Sequence, residues 1–298
     1  MELILQNISK SYGKNKALSD FSMTFTPGIY ALLGPNGSGK STLMNIITDN
    51  LKADAGEIYW NGENAKKLGV KFRENIGFMP QYPGLYPSFT LEEFLWYIAT
   101  LKGMKKSSET ENEIKRVLAS VELLDVASHK VSSLSGGMKQ RLALAQATLG
   151  DPKIIILDEP TAGLDPKQRI SVRNYISSIA LQRIVIIATH VVPDIEFIAK
   201  EAIILKKGKI IDRATPSELI KKMENKVWNI HCPEKIIDEA ERRFQIISIA
   251  KSENNFVDLR LIHNGQPSKV ATPLTPTLED YYLSVFGGGR SQKLETIM

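Results

Sequence analysis

The clearest pattern along the chain is a pair of uninterrupted apolar runs, each ending in polar residues. KIIILDE (153–159) and RIVIIATH (183–190) show no alternation of apolar and polar positions. Continuous runs of this length are typical of parallel strands buried on both faces. In open α/β sheets ligands bind at the carboxyl ends of the strands, so the polar residues there are candidates for chemistry. We predict the order strand, helix, strand, helix, strand over residues 153–212.

The N-terminal segments show two kinds of strand pattern. In ALSDFSMTF, alternation predicts a half-buried strand with Phe21, Met23 and Phe25 on one face. IYALLG predicts a buried strand that leads into a glycine-rich loop, and STLMNIITDN after the loop has the spacing of a helix. EIYWNGEN predicts a β-hairpin, because Asn-Gly suits a type I′ turn.

Helical periodicity dominates the middle of the chain. Thr90 and Glu93 predict a capping box before FLWYIATL, and EIKRVLASVELL repeats the helical period. A third helix, opened by Ser135, is predicted to end at Gly150, with a proline beyond it as a stop signal. We therefore predict a helical subdomain over about residues 88–150. The apolar face of its first helix comprises Leu91, Phe94, Leu95, Ile98 and Leu101.

The pattern changes near residue 220. KVWNIHC predicts a strand, PEKIIDEAERRF a helix, QIISIAK with FVDLRLI a hairpin, and LEDYYLSVF a last short helix. We predict a first domain over residues 1–221, a small α/β domain over residues 222–286 and a disordered tail over residues 287–298.

Composition narrows the classes of function. With 298 residues, 43% of them hydrophobic, the chain can bury a large core in one or two domains. The net charge of +5 is mild, and without a long basic stripe carrying aromatic residues we expect no nucleic-acid partner. The single cysteine, Cys232, cannot form an internal disulfide and indicates a reducing compartment.

Neither a targeting segment nor a membrane span is evident. MELILQNISK is interrupted by polar residues and has no cleavage pattern, and the longest apolar runs have the length of strands. We expect the chain to be soluble by itself, and a membrane role to come through a partner.

The stretch GPNGSGKST fits the phosphate-loop pattern G-x-x-x-x-G-K-[ST] in full, between a predicted strand and a predicted helix. Glycines let backbone N–H groups wrap phosphate oxygens, and the helix adds its positive N-terminal end. Lys40 is predicted to reach the β- and γ-phosphates, and the Ser41 hydroxyl to bind Mg²⁺. The predicted nucleotide-binding residues of this stretch are Gly34, Pro35, Asn36, Gly37, Ser38, Gly39, Lys40, Ser41 and Thr42.

Two adjacent carboxylates end the first long apolar run. Asp158 and Glu159 at a buried strand end are costly unless they serve a cation or a proton. We predict that Asp158 holds Mg²⁺ through water and that Glu159 is the general base for an attacking water. The alternative is a solvated strand end.

Three further residues have both a functional and a structural interpretation. His190 ends the second long run, where a lone histidine is usually structural. Gln81 is either a ligand of Mg²⁺ or water, or an exposed loop glutamine. Tyr12 stacks on a purine or simply packs at the end of a strand.

A second phosphate-type turn stands in LSGGMKQR (134–141). Ser135, Gly136 and Gly137 at a predicted helix N-terminus can offer backbone donors to an anion. The stretch lacks the G-K-[ST] sequence that supplies the lysine and the Mg²⁺ ligand of a complete site. It therefore predicts half of a binding site.

Taken together and in order, these residues resemble the ATP-binding subunit of an ABC transporter over roughly residues 1–220. LSGGMKQR is the most specific motif, because many unrelated NTPases share the other phosphate-binding motifs. The resemblance implies an α/β P-loop NTPase of ABC type, with a mostly parallel core sheet, an antiparallel β subdomain, a helical subdomain and a small C-terminal extension. The matching motifs are Tyr12 (A-loop), GPNGSGKST (Walker A), Gln81 (Q-loop), LSGGMKQR (signature), IIILDEP (Walker B), AGLDP (D-loop) and His190 (H-loop).

The resemblance implies roles that the residues alone leave open. Tyr12 would stack on adenine, and Gln81 would sense Mg²⁺ and couple to the membrane partner. His190 would contact the γ-phosphate and the attacking water, and Asp165 would contact the opposing subunit.

The resemblance also implies partners. The Ser135 loop of each subunit would close over ATP held by the Lys40 loop of a second, identical or homologous ATPase subunit. The region FMPQYPGLYPSFTLEEFLWY would receive the coupling helix of an integral-membrane permease. Three aromatic residues are candidates for that surface, or for core: Phe89, Phe94 and Trp96.

Phrases such as LYPSFTLEEFLWYIATLKG and TPTLEDYYLSVFGG are similar to ATPases of exporters of drugs, antimicrobial peptides or lipid-linked compounds. They imply an export ATPase, cytoplasmic and peripheral at the inner face of the membrane. Ser38 and Ala162 depart from residues common in the family, and neither change removes a catalytic group. The alternative function is a soluble ABC ATPase, as in iron–sulfur assembly. Motif spacing argues against an SMC-like or tandem-domain translation ATPase, and the signature argues against a small-molecule P-loop kinase.

Overall fold

The structure is a computed structural model that describes residues 1–287. Apart from Gly287, the tail predicted over residues 287–298 lies outside the described residues. The chain forms two compact units, the first spanning Met1–Arg213 and the second beginning at Ala214. No helix within residues 1–287 is long and apolar enough to cross a membrane.

An antiparallel sheet opens the first unit. Its strands in spatial order are β2 (Asn15–Phe25), β1 (Leu3–Tyr12), β4 (Ala55–Trp60) and β5 (Glu63–Asn64). The alternation predicted for β2 is present, with Phe21, Met23 and Phe25 buried. Strands β4 and β5 form the predicted hairpin. Two short helices follow it, α2 (Ala65–Leu68) and α3 (Val70–Arg73).

A six-stranded sheet forms the centre of the first unit. Its strands in spatial order are β10 (Lys209–Ala214), β9 (Glu201–Lys206), β3 (Gly28–Leu33), β8 (Ile184–Ala188), β7 (Ile154–Asp158) and β6 (Ile76–Met79). Strand β8 pairs in parallel with β3 and β7, β6 pairs in parallel with β7, and β9 pairs in parallel with β3. Both uninterrupted apolar runs are therefore buried parallel strands, as predicted.

Helices join and cover these strands. They are α1 (Lys40–Ile47), α4 (Leu91–Leu101), α5 (Ser108–Ser120), α6 (Gly136–Thr148), α7 (Pro166–Ala180) and α8 (Val192–Glu196). The predicted capping box is confirmed, because Thr90 and Glu93 bond reciprocally at the start of α4. Short 3-10 turns lie at Leu124–Val126 and Val131–Ser133.

Two apolar cores hold the first unit together. One fills the space between the central sheet and helices α4 to α7, and includes Phe94, Leu142 and Ile155. The other lies between the two sheets and includes Phe25 and Met44. Because α1 packs in the second core, the loop that precedes it is anchored to both sheets.

The second unit has its own small core under an antiparallel sheet. Pairing strand by strand gives the order β12 (Gln245–Lys251), β13 (Phe256–Ile262), β11 (Val227–Pro233) and β14 (Thr272–Pro273). Its helices are α9 (Pro216–Lys221), α10 (Ile237–Arg243) and α11 (Leu278–Phe286), with a 3-10 turn at Glu234–Ile236. The buried Asp280 accepts from Arg260 and from the Thr277 backbone, which fixes the start of α11.

The structure corrects three expectations. Leu101 ends α4 with 66% of its surface exposed, so the apolar face stops before it. Phe94 is fully buried and cannot contribute to a docking surface, whereas Phe89 and Trp96 are partly buried. The predicted last strand before residue 212 is two strands, β9 and β10, joined at Lys207–Gly208.

Candidate functional site

The phosphate loop connects β3 to α1 at the carboxyl end of the parallel sheet. Gly39 immediately precedes α1 with a φ of 111°, a conformation that side chains disfavour. A Cβ at residue 39 would also lie 2.5 Å from the carbonyl oxygen of Ala17. Backbone conformation and packing therefore both require glycine at residue 39, directly before the N-terminus of α1.

The Lys40 ammonium lies over the loop. Its Nζ donates to the carbonyl oxygens of Gly34 at 2.6 Å and Pro35 at 3.1 Å. Burial lowers the pKa of Lys40, while the nearby carboxylates of Glu159 and Asp158 oppose that shift. The ammonium is thus placed between the loop and two acidic side chains.

A cavity of about 330 Å³ brings together most of the residues predicted from the motifs. Residues more than a hundred positions apart meet there, because the ends of β1, β3, β7 and β8 share one edge of the fold. The size is within the range of small-ligand sites. Its walls comprise Tyr12, Asn15, Ala17, Asn36, Gly37, Gly39, Lys40, Ser41, Thr42, Gln81, Asp158, Glu159 and His190.

Asp158 ends β7 and faces this cavity. Burial, and then the neighbouring Glu159 carboxylate, raise the pKa of Asp158 to about 6, against the opposing effect of Lys40. A carboxyl group that is poorly stabilised as an anion gains from a bound cation.

Glu159 is buried and held on several sides. Its carboxylate accepts from Thr189 Oγ1 at 2.9 Å and from the His190 backbone N–H at 3.0 Å. His190 Nδ1 lies 2.8 Å from the same oxygen that accepts the backbone bond. The backbone of Glu159 is left-handed, with a φ of 53°. Such a conformation in a residue with a side chain persists only where its surroundings fix it, and it is often found at functional sites.

The signature stretch lies apart from the cavity. Ser135 caps α6 by accepting from the Met138 backbone N–H at 3.3 Å, and Ser135 and Gly136 are exposed. Gly137 lies next to the Gln168 side chain of α7, whose Oε1 would be 2.4 Å from a Cβ at residue 137. Asp165 caps α7 by accepting from the Gln168 N–H at 2.8 Å. None of Ser135, Gly136, Gly137 and Asp165 lines the cavity described above.

Sequence reasoning missed two contacts of Glu159. Gln140 Nε2 donates to the backbone oxygen of Glu159 at 2.7 Å, and Thr189 Oγ1 donates to its carboxylate. Gln140 lies within LSGGMKQR and Thr189 precedes His190, so both stood beside residues already chosen. Their pairing with Glu159 is a property of the fold and has no local signal.

Comparison with known proteins identifies the family. Residues 18–162 match the ABC transporter family. An uncharacterized ABC transporter ATP-binding protein, YxlF of Bacillus subtilis (strain 168), is 34% identical over 297 residues, covering 95% of this chain and 99% of that protein. The chain is an ABC transporter ATP-binding protein. It is therefore an ATPase, and the cavity is the ATP-site candidate of an ABC ATPase.

Two further proteins resemble this ABC ATPase. The bacitracin transport ATP-binding protein BcrA of Bacillus licheniformis is 31% identical over 301 residues, covering 95% of this chain and 96% of BcrA. The ATP-binding cassette MJ0796, solved as a dimer in a post-hydrolysis state with ADP and Pi, is 29% identical with a TM-score of 0.65. That likeness covers 72% of this chain and 98% of MJ0796.

Proposed function

We propose that this ATPase powers export through an integral-membrane permease, with each ATP held between two ATPase subunits. The observation that carries the proposal is the separation of two phosphate-type turns. The Lys40 loop lies in a cavity with Asp158, Glu159 and His190, while the exposed Ser135 turn lies outside it.

The cavity supplies the parts needed to bind and hydrolyse a nucleotide. Tyr12, half exposed at its edge, would stack on adenine, and the loop N–H groups with Lys40 would hold the phosphates. A water oxygen would attack the γ-phosphorus and the bond to ADP would break. Glu159 would accept the proton of that water, and His190 would orient the water and the γ-phosphate.

The residues present also fit Mg²⁺. Within residues 1–287 no group of three or more His, Cys, Asp or Glu side chains could hold a metal. Mg²⁺ bound with a nucleotide needs only one or two carboxylates, since water and phosphate oxygens complete its shell. Ser41, Gln81 and Asp158 line the same cavity and would be its protein ligands. The ion would neutralise charge on the β- and γ-phosphates.

A second ATPase subunit would complete each site. The N-terminus of α6, with Ser135, Gly136 and Gly137, carries the positive end of a helix dipole. We place it over the γ-phosphate bound by the partner subunit, with Asp165 at the same interface. The dimer reported for MJ0796 supports this arrangement.

An exposed aromatic group next to Gln81 would receive a helix of the permease. Tyr82 is 85% exposed. Tyr86 stacks on Phe89 with centroids 5.2 Å apart and meets Tyr97 edge-on at the same distance. Exposed aromatic rings are enriched at protein interfaces. Through that permease the ATPase would sit at the inner face of the membrane.

The direction of transport, export, is the most specific part of the proposal. It rests on the resemblance to exporter ATPases and on the match over nearly the whole chain to a bacitracin transport protein. We place the substrate in the class of drugs, antimicrobial peptides or lipid-linked compounds.

Three measurements test the proposal. Purified protein should hydrolyse ATP with Mg²⁺, and the affinity-tagged chain should co-purify with a polytopic membrane protein. Tyr82→Glu should lose that partner and keep ATP binding, whereas Tyr59→Glu on the antiparallel sheet should keep both.

Vesicles of known orientation should move substrate away from the ATP-containing side. Recovery only in non-membrane complexes would instead support the soluble alternative.

A further inference from the structure

One hydrogen bond connects helix α6, which begins in the signature stretch, to the backbone of Glu159, the proposed general base. Gln140, in the second turn of α6, donates from Nε2 to the Glu159 carbonyl oxygen at 2.7 Å. The two residues are 19 positions apart, so the bond joins separate elements.

The accepting carbonyl belongs to a backbone that needs support. Glu159 is left-handed, and its carbonyl also accepts from the Ala162 N–H at 3.2 Å. On the other side its N–H donates to Ala188 at 2.8 Å. A left-handed residue with a side chain persists only where its surroundings hold it. Each bond that fixes the peptide planes of Glu159 therefore also helps to fix the direction of its carboxylate.

The donor stands on a rigid support. Helix α6 is buried on most of its surface, and Arg141 donates from Nη1 to the carbonyl oxygens of Val121 and Glu122. Ser135, five residues before Gln140, begins the same helix, and a helix rises 1.5 Å per residue. Gln140 is thus about 7 Å along the axis from the turn that faces the partner's ATP in the proposed dimer.

We propose that Gln140 is a positioning residue that couples the two ATP sites of the dimer. Engagement of Ser135 with the partner's γ-phosphate sets the position of α6, and Gln140 transmits that position to Glu159 in its own subunit's site. Each site's general base is then aligned only when the opposite site is closed. This inference rests on the proposed two-subunit arrangement.

The test uses the full chain with Gln140→Met, which keeps the length of the side chain and removes the donor, and with Gln140→Glu. Gln182→Met is the matched control, because Gln182 is exposed on the loop before β8. We expect kcat to fall about 10- to 100-fold in both Gln140 variants, as is typical when a supporting hydrogen bond is lost. ATP affinity and melting temperature should match wild type.

A second readout separates positioning from simple structural support. Because the dimer would form but hydrolyse slowly, Gln140→Met should accumulate an ATP-bound dimer by light scattering, as Glu159→Gln should. If Gln140→Met has a lower kcat and also forms no ATP-bound dimer, Gln140 only supports α6, and the inference is overturned. Wild-type kcat in Gln140→Met would also overturn it, with the dimer proposal intact if Glu159→Gln still dimerises. If Glu159→Gln stays monomeric in ATP, the two-subunit proposal and this inference both fail.

Discussion

His190 Nδ1 lies 2.8 Å from Glu159 Oε1, and the His190 backbone N–H donates to the same oxygen. As a general base Glu159 would be an ionised carboxylate that only accepts, and Nδ1 would then be the donor of this bond. The imidazole, with most of its side chain exposed, is then held with Nε2 directed away from Glu159. The contact between the two side chains therefore orients both Glu159, the proposed general base, and His190, which is proposed to face the γ-phosphate.

His190→Ala should lower kcat by about two to three orders of magnitude while ATP still binds, because losing one positioned group that contacts the reacting phosphate costs about that much. Steady-state ATP hydrolysis and nucleotide titration of the purified protein check this. His129→Ala, at an exposed histidine outside the cavity, is the control. Equal rates for His190→Ala and wild type would remove His190 from the site.

Ser135→Arg should abolish hydrolysis and leave ATP binding to the monomer intact. The residue lies outside the cavity that holds Lys40, and a bulky cation would block the approach of a partner subunit. Fluorescent-nucleotide binding at a protein concentration that favours the monomer, with ATPase assays in parallel, measures both properties. Lost monomer binding would contradict the separation of the two half-sites.

Asp158 makes stability depend on pH in a defined direction. Its pKa is raised to about 6, so between pH 4 and 6 the folded chain holds a proton that the unfolded chain has released. The contribution of Asp158 to the free energy of unfolding therefore falls as the pH rises from 4 to 6. The measurement is the melting temperature of Asp158→Asn minus that of wild type, without nucleotide or Mg²⁺. This difference should increase by roughly a few degrees between pH 4 and pH 7, because only the wild type loses stability over that range. A constant or shrinking difference would contradict the assigned cause.

Arg141→Met should destabilise the first unit by about 1–3 kcal/mol, because it removes the charged donor from the buried carbonyl of Val121 and the partly buried carbonyl of Glu122. Urea unfolding followed by circular dichroism measures the loss. Lys115→Ala, which breaks only a surface pair with Glu111, should leave the midpoint unchanged. Similar midpoints for Arg141→Met and wild type would show that this bond does not secure α6.

Much of the fold could be predicted because its signals are local. The uninterrupted runs of β7 and β8, the capping box at Thr90 and the phosphate-loop pattern each depend on neighbouring residues. Strand β6 was not predicted, since IGFM is too short to show a period and pairs only with the distant β7. Strand β14 has two residues within a connector and exists through its pairing with Trp228 and Asn229.

The candidate site likewise has residues that the sequence indicates and contacts that it does not. Motif spacing indicated Lys40, Asp158 and Glu159 individually. Tyr12 and Gln81 had both a functional and a structural interpretation, and only resemblance to the family favoured the functional one. The hydrogen bonds of Gln140 and Thr189 to Glu159 span 19 and 30 positions, so only the folded chain reveals them. Phe94 had two interpretations, docking surface or core, because an apolar residue on a helix fits either pattern. The structure places it in the core.

The central claim is that two subunits close over ATP, and one measurement tests it most directly. Glu159→Gln should bind ATP, turn over slowly enough to accumulate the closed state, and show twice the monomer mass by light scattering. Lys40→Ala in the same chain should return the mass to that of the monomer, because ATP no longer bridges the subunits. A Glu159→Gln protein that binds ATP and remains monomeric at every concentration would contradict the account.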